Sequence, residues 1–191
     1  MLAGAIPWRF KSSRPHQFFP LLPPSNITCI LQLISGSVSH VPGNSKLRHR
    51  SGCPVSISLE LLGDRWSLLI IRDLMVRGFR TFKDFQGSSE GIATNILADR
   101  LKKLASTGII EAEVEERDGR KVNYRLTEKG IDLAPVLLEL LVWGARYEET
   151  AAPPGLAGKL VKQREQFLAE AQRRWRERDL TPLLPAFKKA K

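Results

Sequence analysis

Thr94, Asn95, Ala98, Asp99, Lys102 and Lys103 fall within a ten-residue stretch at the spacing of one helix face. On a helical wheel Asn95, Ala98, Asp99 and Lys102 lie together, flanked by Thr94 and Lys103, while Ile96, Leu97, Leu101 and Leu104 occupy the other side. The outward group has the chemistry of a base-edge reader. An amide suits adenine, an ammonium suits guanine, and a small or methyl-bearing side chain meets the thymine methyl. Asp99 is discordant, because phosphate repels a carboxylate; it can accept from a cytosine amino group, or pair with Lys102 or Lys103 in the free protein. A second basic group follows at Arg117, Gly119, Arg120 and Lys121, with Arg125 further along. Phosphate contact is the natural task of such a cluster. A polar outward face is also what any solvated helix presents, so the basic group beside it is what favours duplex nucleic acid.

Other chemistries find less to work with. His16, His40 and His49 all precede residue 50, which leaves the rest of the chain without an imidazole for acid–base catalysis or a metal site. Cys29 and Cys53 make no disulfide framework and fit a reducing compartment, the cytoplasm. His49 and Cys53 could share a helix face, yet two ligands do not make a zinc site. There is no Gly-rich phosphate loop. An enzyme is therefore not expected, nor a metal or cofactor. The most apolar run, residues 27–38, is interrupted by Thr28, Gln32, Ser35 and Gly36 and is too short to cross a bilayer.

The elements that would position these residues can be traced by period and punctuation. Order is expected from Cys53-Pro54, with proline at a first helical position and Val55, Leu59 and Leu62 as a stripe ending at Gly63. Asp64 can cap a second helix in which Trp66, Leu69, Ile70 and Leu74 recur, widened by Leu68, Ile71 and Met75, as for a helix buried on several sides. A short helix over 81–86 carries Phe82 and Phe85, and 87–91 is a turn. The helix over 94–106 stops at Gly108, a left-handed cap. The period then becomes two: Ile110, Ala112 and Val114 alternate with Glu111, Glu113 and Glu115, and Val122, Tyr124 and Leu126 with Asn123 and Arg125. Asp118-Gly119 between them predicts the hairpin turn. Thr127 caps a long helix to about Glu149, kinked or broken near Pro135.

Charge is distributed unevenly. The net +10 arises from the ends: residues 1–50 hold six Lys or Arg and no acid, residues 51–150 hold 14 basic and 16 acidic residues, and residues 151–191 hold ten basic and four acidic. Any nucleic-acid reading of the middle must rest on where its charges sit. Residues 1–50 carry six of the twelve prolines and no sustained period. They read as a disordered leader or a mis-assigned start, with a basic, acid-poor transit peptide as the other reading. Residues 152–158 read as a linker, and 159–191 as one basic amphipathic helix, striped by Leu160, Phe167, Ala171 and Trp175, with a tail. That last helix could extend a dimer, pack on its own domain or bind the DNA backbone.

The order helix, helix, short helix, turn, helix, two-stranded hairpin, long helix is that of a winged helix-turn-helix, a mainly α (α+β) fold with a two-stranded wing. Cys53-Pro-Val, Leu61-Leu-Gly-Asp-Arg-Trp66, Leu69-Ile-Ile-Arg-Asp-Leu74 and Phe79-Arg-Thr-Phe-Lys-Asp-Phe85 open a set of motifs. It continues through Gly91-Ile92, Asn95-Ile-Leu97, Arg100-Leu-Lys-Lys-Leu104, Gly108-Ile109, Val122-Asn-Tyr-Arg-Leu-Thr-Glu-Lys-Gly130 and Trp143-Gly144. Over residues 53–151 this series resembles the HxlR-type winged helix-turn-helix regulators. The resemblance implies sequence-specific binding of double-stranded DNA by a cytoplasmic homodimer, with the first and last helices of the domain forming the dimer interface and no enzymatic activity. It further implies, for relatives with a cysteine ahead of the first helix, sensing of electrophiles or oxidants; Cys53 occupies that place. Ala93 stands where the family usually has a serine capping the recognition helix, so either Thr94 takes over or the cap is lost. The rival reading is a winged helix used as a protein-interaction module with non-selective DNA affinity.

Overall fold

The computed structural model describes residues 50–115, 118–185 and 187, with residues 118–120 described by their backbone alone. The expectations for residues 1–49 lie outside the described residues. From residue 54 the elements run α1 (Pro54–Leu62), α2 (Arg65–Val76), α3 (Phe82–Gln86), α4 (Thr94–Ser106), β1 (Ile110–Glu115), β2 (Asp118–Leu126), α5 (Glu128–Ile131), α6 (Ala134–Tyr147), α7 (Leu156–Lys162) and α8 (Arg164–Glu177). With β1 and β2 antiparallel, this is a winged helix-turn-helix.

Local chemistry sets most of the boundaries. The Asp64 carboxylate accepts from the Ser67 amide at the head of α2. Thr81 and Asp84 form a reciprocal capping box on α3, which lets a helix of five residues hold together. At the end of α4, Gly108 takes φ +68°, and the amides of Gly108 and Ile109 return to the carbonyls of Ala105 and Leu104. That is the double bond pattern of a Schellman stop. Thr127 caps α5 through the Gly130 amide. Pro135 sits in the first turn of α6, so the expected long helix is two helices with a break before the proline, whose ring and missing N–H suit only a helix start.

The wing and the C-terminal helices differ from the sequence expectation. Ile110 pairs with Leu126, Ala112 with Tyr124 and Val114 with Val122, but Glu115 then pairs with Asp118 across a bulge. Asp118 and Gly119 therefore lie inside β2 and not at the turn, the bulge absorbing the additional residues. The predicted single basic helix after residue 158 is instead α7 and α8, separated at Gln163, and α7 begins at Leu156, inside the predicted linker.

The main core joins Ile70, Ile71 and Leu74 of α2, Phe85 of α3, Leu97, Leu101 and Leu104 of α4, and Ile110, Tyr124 and Leu126 of the sheet. Phe85 is 1% exposed and meets Phe79 and Tyr124 edge-on, with ring centroids 6.0 and 6.2 Å away. Burying a ring of that size stabilises by about 1.5–3 kcal/mol, and the two edge contacts add to it. Residues beyond the winged helix join the same core. Ala171 is buried there, with Leu168 and Trp175 packed against it. The Leu183 amide donates to the Val76 carbonyl at 2.7 Å. The chain crosses Gly78 so closely that a Cβ there would stand 2.1 Å from the Leu180 carbonyl oxygen; Gly78 also takes φ +71°. Only glycine tolerates both conditions.

Candidate nucleic-acid interface

α4 is held from beneath by Leu97 and Leu104, both fully buried, and by Leu101. Its register is also fixed electrostatically. Asp64 caps α2 with one carboxylate, and the same carboxylate takes the Arg100 Nε at 2.9 Å and the Lys103 Nζ at 3.4 Å. The Ser67 hydroxyl donates to it at 2.6 Å. Burial alone would raise the pKa of this carboxyl, but the bonds from Ser67 and the Arg100 charge outweigh that and hold it below its ordinary value. One acid thus joins the head of α2 to the middle of α4.

This arrangement sorts the six predicted α4 residues. Asn95 and Lys102 are exposed and make no hydrogen bond or ion pair among the described residues. Ala98 is partly exposed beside them. Thr94 is exposed, and its hydroxyl accepts from Gln86 Nε2 at 2.9 Å, linking α3 to the start of α4. It does not cap the helix; Ala93 is the N-cap residue and offers no side-chain bond, so the cap is absent. Lys103 is committed to Asp64. Asp99 contacts Arg100, not the expected Lys102 or Lys103, because the Arg100 guanidinium bridges both acids.

The turn before α4 is pinned from behind. Glu90 takes Arg65 at 3.1 Å and Arg72 at 3.0 Å, and these bonds lower its pKa in spite of partial burial. Asp73, 3% exposed, pairs with Arg72 at 2.8 Å and Arg77 at 3.3 Å, yet burial still pushes its carboxyl up.

In the wing, Arg117 lies outside the described residues, and Gly119 and Arg120 are placed by backbone only, within β2. Lys121 is exposed and lies 2.8 Å from Glu115, an ion contact without hydrogen-bond geometry. Arg125, expected to meet phosphate, is turned to the C-terminal helix. It donates to the Trp175 carbonyl at 3.0 Å, lies over the Trp175 ring at 5.4 Å, and faces Glu111 at 3.6 Å. The sequence reading missed three contributors: Arg100, Trp175 and Arg178. All three act through partners between 36 and 65 residues away, a distance at which periodicity carries no signal.

Two further surfaces matter. Val136, Leu140, Trp143 and Tyr147 recur at four, three and four residues along α6 and are all about half exposed or more, Trp143 by 56%. Val55 and Leu59 of α1 are exposed too. Cys53 is an exposed free thiol at the N-cap of α1, its amide bonded to the Ser51 hydroxyl. Among the described residues no cluster of His, Cys, Asp or Glu could hold a metal ion, and no helix is long and apolar enough to cross a membrane.

Residues 61–152 match the HxlR-like helix-turn-helix family. The chain is 34% identical over 98 residues to the HTH-type transcriptional regulator YdeP of Bacillus subtilis, covering 51% of this chain and 76% of that protein. It is 39% identical over 98 residues to the HTH-type transcriptional regulator YodB of the same organism, covering 51% and 87%. A solved structure of the redox regulator HypR in its oxidised form is 31% identical, covers 51% of this chain and 99% of that one, and superposes with a TM-score of 0.46.

Proposed function

The chain belongs to the HxlR-like helix-turn-helix family of transcriptional regulators, and from that premise we propose that it is a cytoplasmic, sequence-specific DNA-binding homodimer. α4 lies in the major groove, and the wing lies on the adjacent backbone or in the minor groove. The observation that carries this reading is the division of α4. Its leucines are sunk in the core and its acid and two of its basic groups are tied down, while Asn95 and Lys102 stay exposed and unpartnered. Any solvated helix carries exposed polar groups; a base-reading helix needs its amide and ammonium uncommitted, as these two are.

Dimerisation follows from the apolar stripe on α6. A 4-3-4 spacing is that of a helix seam, and a row ending in Trp143 and Tyr147 is costly to leave in water. α1, with Val55 and Leu59 outward, supplies the rest of the surface. Two copies joined this way present two α4 helices to half-sites about one turn of duplex apart. Cys53, exposed at the head of α1, is placed where oxidation or alkylation changes that assembly and so the affinity for DNA.

Selection from a random duplex library at moderate ionic strength tests the reading, run beside sedimentation of the free protein. A preferred sequence of two related half-sites and a dimeric species are expected. Uniform retention of the whole library would overturn it in favour of a protein-interaction module. A Cys53→Ser protein that responds to diamide as the wild type does would remove the thiol from the account.

A further inference from the structure

Glu111, Glu113 and Glu115 occupy alternate positions of β1, opposite the side that carries Ile110, Ala112 and Val114. Three carboxylates in a row are a poor lining for an element that approaches phosphate. Each is matched by a cation. Arg125 stands across the ladder from Glu111 and faces it at 3.6 Å, and Lys121 lies 2.8 Å from Glu115. The residue across from Glu113 is Asn123, which carries no charge. Cations from outside the sheet serve it: Arg178 reaches Glu113 with both terminal nitrogens, at 3.2 and 3.4 Å, and the Arg80 charge also acts on Glu113.

The placement of Arg178 is built. Among the described residues it is the one non-glycine with positive φ, at 56°, in the left-handed cap that ends α8. An L-residue adopts that conformation at a cost, so neighbouring bonds must enforce it. The Asp179 amide returns to the Arg174 carbonyl, and the Asp179 carboxylate holds Arg173 and Thr181. α8 is itself anchored to the wing, Trp175 Nε1 donating to the Leu126 carbonyl at 2.7 Å. All of this lies beyond residue 152, where the family match ends.

We propose that the C-terminal segment is a strap that completes the charge balance along β1, with Arg178 acting as a positioning residue that offsets Glu113 so that the wing can approach the DNA backbone. The proposal rests on the wing lying against phosphates, as in the function proposed above. Arg178 does not read bases, so its contribution is independent of sequence and weakens as salt screens it.

The test is affinity of the full-length protein for a random-sequence duplex pool between about 0.05 and 0.3 M salt. Arg178→Ala lowers it about fivefold at the low end, less at the high end, the size expected of one exposed ion pair acting near phosphate. Glu113→Gln in the Arg178→Ala background restores it, and Arg178→Lys retains most of it. Arg178 is largely exposed, so these variants keep the fold. No loss in Arg178→Ala, or a loss that Glu113→Gln leaves in place, overturns the strap. The regulator reading is scored apart, by the ratio of selected sequence to pool for the wild type; a ratio near one would defeat that reading while the pool affinities still decide the strap.

Discussion

The outer face of α4 and the outer face of the wing are handled in opposite ways. On α4 Arg100 and Lys103 are drawn to Asp64 at the flank, and Asn95 and Lys102 are left without partners among the described residues. On the wing every acid of β1 has a cation within 4 Å, and Arg125, whose position suggests phosphate contact, is used up inside the molecule. The lesson concerns specificity. Groups meant to recognise bases must meet their partner without first breaking an internal bond, whereas groups that only set a local potential can do so while paired. A domain whose summed charge is slightly acidic can therefore still present a helix face with the free groups that the proposed reading of DNA requires.

The contrast can be tested at four strengths. The largest effect is expected from unseating α4: Leu104→Ala removes a fully buried side chain and should lower unfolding free energy by about 3 kcal/mol in urea titration. A smaller value would mean that α4 is less firmly seated than its burial indicates. Next, Lys102→Ala should cost about 2 kcal/mol of affinity for the selected sequence while leaving the melting temperature in place. Equal losses on selected and random DNA would show Lys102 to be a phosphate contact, and the contrast with the wing would fail.

Asp64→Ala comes third, at about 1 kcal/mol of stability, since the α2 cap goes together with two ion pairs to α4. Its pH dependence has a definite sign. The folded pKa lies below the ordinary 3.8, so the stabilisation is complete above that value and is lost as pH falls through the depressed one. The variant should lack this acid-limb increment in melts below about pH 4. Asp73, raised by burial, works in the other direction, its contribution falling as pH rises past its ordinary value. The smallest effect is expected for Arg125→Ala on DNA: no more than about 1 kcal/mol on pool affinity, arising through Glu111 left without its cation and removed in a Glu111→Gln background, because the guanidinium faces Trp175 and Glu111. A loss as large as that of Lys102→Ala would return Arg125 to the phosphate-contacting set.

Much of the domain was legible before any coordinates because its signals are local. The buried stripe of α2, the Asp64 and Thr127 caps, the leucines of α4 and the stop at Gly108 all stand where period and punctuation place them. The misjudged features are those in which two local signals compete or a distant residue intervenes. Asp118-Gly119 is a sound turn signal, yet the bulge beside Glu115 takes it into the strand. Arg125 has the composition of a phosphate contact, yet a tryptophan fifty residues away claims it. The stripe over 160–175 suggests one helix, but Gln163 breaks it so that Leu160 can pack with Leu138 and Val142 while Ala171 reaches the main core.

The sequence by itself determined the order of elements from α1 to β2 and the polarity of α4, because a period of 3.6 or 2 and a capping side chain act over a few residues. Only the tertiary structure decided which charges remain available. Whether Lys102 stays free, Lys103 binds Asp64 or Arg178 reaches Glu113 depends on which elements are brought within about 4 Å of one another, and pairing over such distances is a property of the packed chain.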